Sequence, residues 1–338
     1  MMCAVAEHPR REAFSATGII SAVAGAALFA LVVWQAGPTQ VWDGVAKIGW
    51  WLLLVVALGG LRFLARAIAW SACIEPPHSL PIGDAFKGVV AGDTIGNATP
   101  LGPVLGEPAK AAYARGRVPV GVVVTALAVE NLFYSLSAAA MIAAGTLALL
   151  FAFDPPAQMR LAGEAAVAVI GLLFVAAVVA LWRRPAVLSR LVALVPGRGA
   201  AKAEKVRALE QQIYTFASRR GSVVAVAIAC ELGFHALGVL EAHITLTVIN
   251  GEAPPLLTSF ILETANRLFT VLFKVVPFQL GVGEAGTAVV TEVLGMGGTT
   301  GVTVAVVRKA RMAAWALVGV VLLARRRLDA REPARRVQ

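Results

Sequence analysis

The chain alternates long apolar runs with short polar stretches. A helix that crosses a bilayer needs about 20 consecutive apolar residues. Runs of that order occupy residues 16–34, 50–73, 118–151, 162–182, 222–249, 256–276 and 302–324. They predict seven spans. The third is long and is interrupted by Glu130-Asn131, so it reads as one tilted helix or a broken one. Residues 82–98 are mildly apolar and rich in glycine, and a short loop holding Asp43 and Lys47 separates the first two spans. The first run also fits a signal peptide; its nineteen apolar residues favour a retained span.

The polar stretches add orientation. Residues 1–15, 110–117, 183–220 and 325–338 are basic, and basic loops stay on the cytoplasmic side. Residues 183–220 carry nine Lys/Arg against two Glu. Within them, residues 201–218 have helical spacing of Val206, Leu209, Ile213 and Phe216, which predicts an amphipathic helix on the membrane surface. The tail after Ala324 reads as a disordered basic segment. Seven spans would leave it outside, so a further crossing is expected, around residues 284–294 or from a break in a neighbouring span. The expectation is then about eight crossings with both ends inside.

Composition places the chain in the all-α class, as a polytopic helical membrane protein. Of 338 residues, 58% are hydrophobic and 15% charged, against about 25% charged in soluble domains. The net charge of +10 sits in the loops, so it does not indicate nucleic acid. Three scattered cysteines give neither a disulfide framework nor metal spacing. No nucleophile elbow, phosphate loop or zinc-protease helix motif is present, so neither an enzyme nor a cofactor is expected.

One phrase occurs twice. Pro100 leads to Gly106-Glu107, and Pro277 leads through Gly281 to Gly283-Glu284, each with five residues between proline and glycine. Proline and glycine at this density break helices. Broken backbone at membrane depth survives only where protein or a water-filled cavity satisfies it. Two re-entrant or broken elements, each presenting a Gly-Glu turn, are therefore expected; two unrelated loops are the alternative. They imply two related halves, residues 16–150 and 221–324, joined by the basic linker 183–220. The halves are inverted if the extra crossing falls between the turns and parallel if it follows them.

Ionisable residues inside spans are costly, so their default reading is functional. Glu263, Arg267 and Lys274 fall on one stripe. They are either an ion pair plus a snorkelling lysine, or a cationic path with Glu263 as counter-ion. Arg62 and Arg66 lie four apart and add cations to that path or snorkel to the interface. Glu231 and His235 share a face and suit a proton relay. A Glu/His pair is too small a ligand set for zinc, and no metal site is expected. Arg308, Lys309 and Arg311 follow Glu284 at about the distance at which Glu130 follows Glu107. Arg267, Arg308 and Arg311 are the expected cations beside Glu284.

Two motifs carry a family resemblance. Asn97-x-x-Pro100 to Gly106-Glu107-x-x-Lys110, before a basic turn and a long helix, resembles the first hallmark of the lysylphosphatidylglycerol synthase transmembrane-region family. Glu263-x-x-Asn266-Arg267, then Pro277, Gly281 and Gly283-Glu284, then Arg308-Lys309-x-Arg311, resembles the second. The resemblance implies a flippase-like, stand-alone member without the lysyl-transfer domain, handling an anionic or isoprenoid lipid in the cytoplasmic membrane. It implies no catalytic residues. Two departures stand out. Pro103 and Pro108 stiffen the first element, and Phe278-Gln279 replaces two glycines. A proton-coupled carrier of a small solute, with Glu107 and Glu284 carrying protons, and a membrane partner of a lipid-modifying enzyme are the other readings. A groove open sideways to lipid distinguishes the first.

Overall fold

The computed structural model describes residues 16–99, 102–183, 187–193, 203–204, 206–208, 210–211 and 220–335. The described residues are helical, apart from short connections. The helices are α1 (Ala16–Ala36), α2 (Pro38–Ile48), α3 (Trp51–Cys73), α4 (Ile82–Ala98), α5 (Gly102–Tyr113) and α6 (Val120–Ala152). There follow α7 (Ala157–Arg183), α8 (Val187–Ala193), α9 (Gly221–Asn250), α10 (Leu256–Leu272), α11 (Val282–Val293) and α12 (Gly298–Arg335). A polytopic helical membrane protein is what these elements make. Among the described residues, four helices are long and apolar enough to cross a membrane by themselves: α3, α6, α9 and the first 21 residues of α7.

Several expectations change. The loop at Asp43 and Lys47 is α2, started by Gly37 at φ 85° and Pro38 at the first helical position. It buries Val41, Gly44 and Ile48 on one face. Helix α6 is unbroken through Glu130-Asn131. The tail from Arg325 continues α12 as far as Arg335, because its Ala, Arg and Leu residues are good helix formers. The amphipathic helix expected at residues 201–218 falls largely outside the described residues.

The two Gly-Glu phrases are not turns. Gly106 and Glu107 lie inside α5, and Gly283 and Glu284 lie in the first turn of α11. In each case the break comes earlier. The first break follows Ala98 and reaches Gly102; Pro100 falls there, outside the described residues. Pro103 needs no backbone partner so near a helix start, and Pro108 is carried inside α5. The second break spans residues 273–281 and contains the 3-10 turn Pro277–Gln279.

Helices α4 and α5 form an antiparallel hairpin with a glycine seam. A Cβ at Gly88 would meet the Lys110 carbonyl at 3.3 Å, and one at Gly92 would meet the Gly106 carbonyl at 2.9 Å. At the tip, a Cβ on Gly102 would collide with the Gly96 backbone. Partner numbers rise on one strand of the seam as they fall on the other, and spacing by four keeps the contacts on one face of each helix. Small residues let helix backbones approach this closely.

Two packed ends bound the bundle. At one end Cys73, Ile74, Leu80, Ala114 and Val118 cluster, and Arg220 donates to the Ile74 carbonyl at 3.5 Å. Arg326 donates to the Ala112 carbonyl at that end too. At the other end Ile48, Ile249 and Leu294 cluster with Phe153 and Met159. There Lys47 donates to the Ile249 carbonyl at 3.4 Å. Helices α3 and α9 therefore run antiparallel through the centre.

Candidate functional site

Arginine is the residue type that the spans bring together. Helix α10 places Glu263, Asn266 and Arg267 on one face by spacing of three and four. Opposite stand Arg62 of α3 and Arg308 of α12. Glu263 is fully buried. Its Oε2 accepts from Arg308 Nη2 at 2.8 Å, and its Oε1 accepts from Arg267 Nη2 at 3.2 Å and Arg62 Nη2 at 3.3 Å. Asn266 Nδ2 donates to Oε2 at 3.3 Å. A second carboxylate, Glu241 of α9, lies 3.3 Å from Arg62 Nη1 and 3.0 Å from Arg311 Nε. Four guanidiniums thus share two carboxylates. Paired charge is the condition for burying ions at all, and the pairs make the cluster possible without neutralising it.

Not every donor finds a partner. Nε of Arg62 and Arg267, and both Nε and Nη1 of Arg308, are buried without a hydrogen bond within the described residues. The Arg62 and Arg267 guanidinium carbons lie 4.4 and 4.9 Å from the centroid of the Phe234 ring. Such stacking holds guanidiniums flat and leaves their edges available.

These arginines face a cavity of about 250 Å³ where the hairpin tip meets the 273–281 break. Arg62, Arg66, Arg267, Arg308 and Arg311 line it, with Lys110 and Lys274. Asp93 and Glu107 are its lining carboxylates. Glu107 is partly spent on Lys110, 2.7 Å away one turn along α5. Arg66 is held by Glu130 at 2.6 Å and donates to Asn131 Oδ1 at 3.3 Å. Tyr134 OH accepts from Arg267 Nη1 at 3.1 Å. The cavity therefore suits an anionic group that can accept several hydrogen bonds.

The expected site residues divide into three sets. Glu107, Asn131, Arg267, Arg308 and Arg311 line the cavity, and so does Gly106. Glu263 and Glu130 stand behind it as counter-ions. Glu284, Pro277, Gly281, Gly283, Glu231 and His235 are not among its lining residues.

Glu284 has a local task. It accepts the Gly281 backbone N–H at 2.9 Å and so caps the start of α11 from one side, since Gly281 has no side chain to return the bond. Its cation is Lys309 at 3.1 Å, rather than Arg267, Arg308 or Arg311. Lys309 also donates to the carbonyls of Phe278 and Gln279, at 3.0 and 3.2 Å. Those two residues adopt positive φ, 50° and 51°, which glycine would adopt more readily. Lysine, not glycine, thus supports the departure from the family pattern at this break.

Sequence reasoning passed over Glu241, Asp93, Tyr134 and Phe234 as site residues, and met Lys110 only as part of a motif. Glu241 was legible as a carboxylate inside a span. Its partners Arg62 and Arg311 were not, because they come from distant helices. Arg62 and Arg66 are buried or nearly so, and they do not snorkel.

Among comparisons with known proteins, the family model described as lysylphosphatidylglycerol synthase TM region matches residues 18–321. No curated protein and no solved structure matches the chain.

Proposed function

Because the chain belongs to the lysylphosphatidylglycerol synthase transmembrane-region family, we propose that it is a lipid translocase whose cavity carries an anionic headgroup across the cytoplasmic membrane. One observation carries the reading: Arg308, buried beside the cavity, keeps Nε and Nη1 unpartnered. A headgroup phosphate supplies the missing acceptors and takes up the surplus of arginine over glutamate. The acyl tails stay in the lipid.

Crossing order follows from the packed ends and the helix lengths. Helices α5 and α11 have 12 residues each, about 18 Å at the helical rise. The hydrocarbon core is about 30 Å thick. We read α4–α5 and α10–α11 as re-entrant hairpins, and α1, α3, α6, α7, α9 and α12 as six crossings in place of the eight expected. Arg115, Arg117, Arg183, Arg220 and Arg326 then share one side, which the positive-inside rule makes cytoplasmic. Asp43, Asp154 and Glu252 share the other. The hairpins enter from opposite leaflets, which supports inverted halves. Reciprocal packing points the same way: α4 lies on α12, and α10 lies on α6.

Two measurements test this. In vesicles containing the purified protein and a fluorescent phosphatidylglycerol, quencher added outside should reach inner-leaflet lipid far faster than in protein-free vesicles. Arg308→Gln should slow that exchange about tenfold or more, since a charge-assisted bond is lost. Its thermal midpoint should stay near wild type, because Glu263 keeps Arg62 and Arg267. Equal exchange rates for variant and wild type, or no exchange above protein-free vesicles, overturn the reading. For topology, a cysteine placed at Glu252 in a cysteine-free background should react with an impermeant reagent outside intact cells, and one at Arg115 should not. The reverse pattern refutes the crossing order.

A further inference from the structure

Glu231 of α9 is buried with nothing to bond to among the described residues. It is 1% exposed, and neither carboxylate oxygen has a hydrogen-bond partner. One turn along α9, His235 is 7% exposed with Nδ1 likewise unpartnered, while its Nε2 lies 3.0 Å from Ser137 Oγ of α6. The buried carboxylates Glu130, Glu241, Glu263 and Glu284 each have a cation within 3.3 Å. An ionised carboxylate in so dry a place, without a donor, is costly, and what opposes that cost is the positive charge around the cavity.

The charges around it connect it to the cavity. Arg66 of α3, Glu130 of α6, Arg267 of α10 and Lys110 of α5 act on it, and the Cys73 thiol of α3 and Cys230 of its own helix lie near. The remaining helices on α9 place their charges along its far half: Arg311 of α12 beside Glu241, and Lys47 of α2 beside Ile249. Arg66 is the pivot. It lines the cavity, yet its one ion-pair partner is Glu130. A proton on Glu231 leaves Arg66 opposed by Glu130 alone and makes the cavity more positive. A lost proton does the reverse.

We propose that Glu231 is a proton-binding site coupled to the cavity, taking up one proton as an anionic headgroup enters. The inference rests on the anion-binding reading above. The only bond formed is O–H, between a Glu231 carboxylate oxygen and a proton from the aqueous phase. It breaks again when the headgroup leaves. A singly charged headgroup and its proton then move as a neutral pair, so a pH gradient drives transfer and a membrane potential does not. Linkage makes the coupling reciprocal: acid strengthens anion binding, and bound anion strengthens proton binding.

Calorimetry counts the protons. Purified protein in detergent is titrated with short-chain phosphatidylglycerol near neutral pH, in buffers of different ionisation heat. Wild type should take up close to one proton per lipid bound. Glu231→Gln should bind the lipid and take up none, while His235→Gln keeps the uptake. Uptake unchanged in Glu231→Gln, or lost only in His235→Gln, overturns the proposal. Should wild type bind no lipid, the anion-binding reading fails, and Glu231 is judged by infrared spectroscopy alone. On acidification, a protonated-carboxyl band that appears in wild type and not in Glu231→Gln upholds the proton site; spectra identical in both proteins remove it. Glu231→Leu repeats both measurements, so that a folding defect in one variant does not decide the outcome.

Discussion

Glu263→Gln is expected to destabilise the protein by about 3–5 kcal/mol, the usual cost of leaving buried charges without their partner. The carboxylate is fully buried, and Arg62, Arg267 and Arg308 all donate to it. Glutamine keeps the volume but supplies one acceptor oxygen and no charge. Glu241, already shared between Arg62 and Arg311, then remains the cluster's only carboxylate. Removing one cation should help. Glu263→Gln/Arg308→Gln should unfold at a higher temperature than Glu263→Gln alone, although it has lost one more native bond. Thermal unfolding in detergent decides. A double variant less stable than the single one would mean that the arginines are held by something other than Glu263, and the cluster described here would be wrong.

The second large effect is expected at the glycine seam. A Cβ at Gly106 would stand 2.8 Å from the Gly92 carbonyl oxygen, which is backbone and cannot swing aside. Gly106→Val therefore has to separate α4 from α5. Overpacking of this kind costs about 1–3 kcal/mol. The functional loss should be greater than that cost suggests, because Glu107 and Lys110 of the same helix line the cavity and shift with it. Gly171→Val is the control, since nothing lies within 4 Å of a Cβ there. The expected outcome is that Gly106→Val loses lipid exchange and the control keeps it. If both variants behave as wild type, the hairpin does not depend on its close approach.

What the sequence revealed depended on distance along the chain. Apolar runs are local, so α3, α6, α7 and α9 were legible within a few residues. Short helices were not. Prolines and glycines announce breaks, but Pro103 near a helix start and Gly281 as a helix cap also begin helices, and the Gly-Glu phrases inside α5 and α11 were read as turns for that reason. The charged residues inside the spans pointed to the cavity one by one, while their pairings stayed hidden. Arg62 meets Glu241 and Glu263 across 179 and 201 residues. In the first half of α12, one residue of register mattered. Neighbours on a helix point about 100° apart, so Arg308 turns to Glu263 while Lys309 turns to Glu284. A reading based on composition alone assigned Arg308 to the wrong glutamate.

Lys309 also sets an order of assembly. Its ammonium group reaches Glu284 and the carbonyls of Phe278 and Gln279, all of them in the stretch just before α12. Until α12 leaves the ribosome, that broken backbone has no such donor at membrane depth, where water cannot replace it. Arg308 and Arg311 arrive on the same helix, so Glu263 and Glu241 wait for them as well. The second hairpin is thus synthesised before the helix that fastens it. For that interval it needs an insertion partner, and the arrival of α12 closes both the hairpin and the cavity.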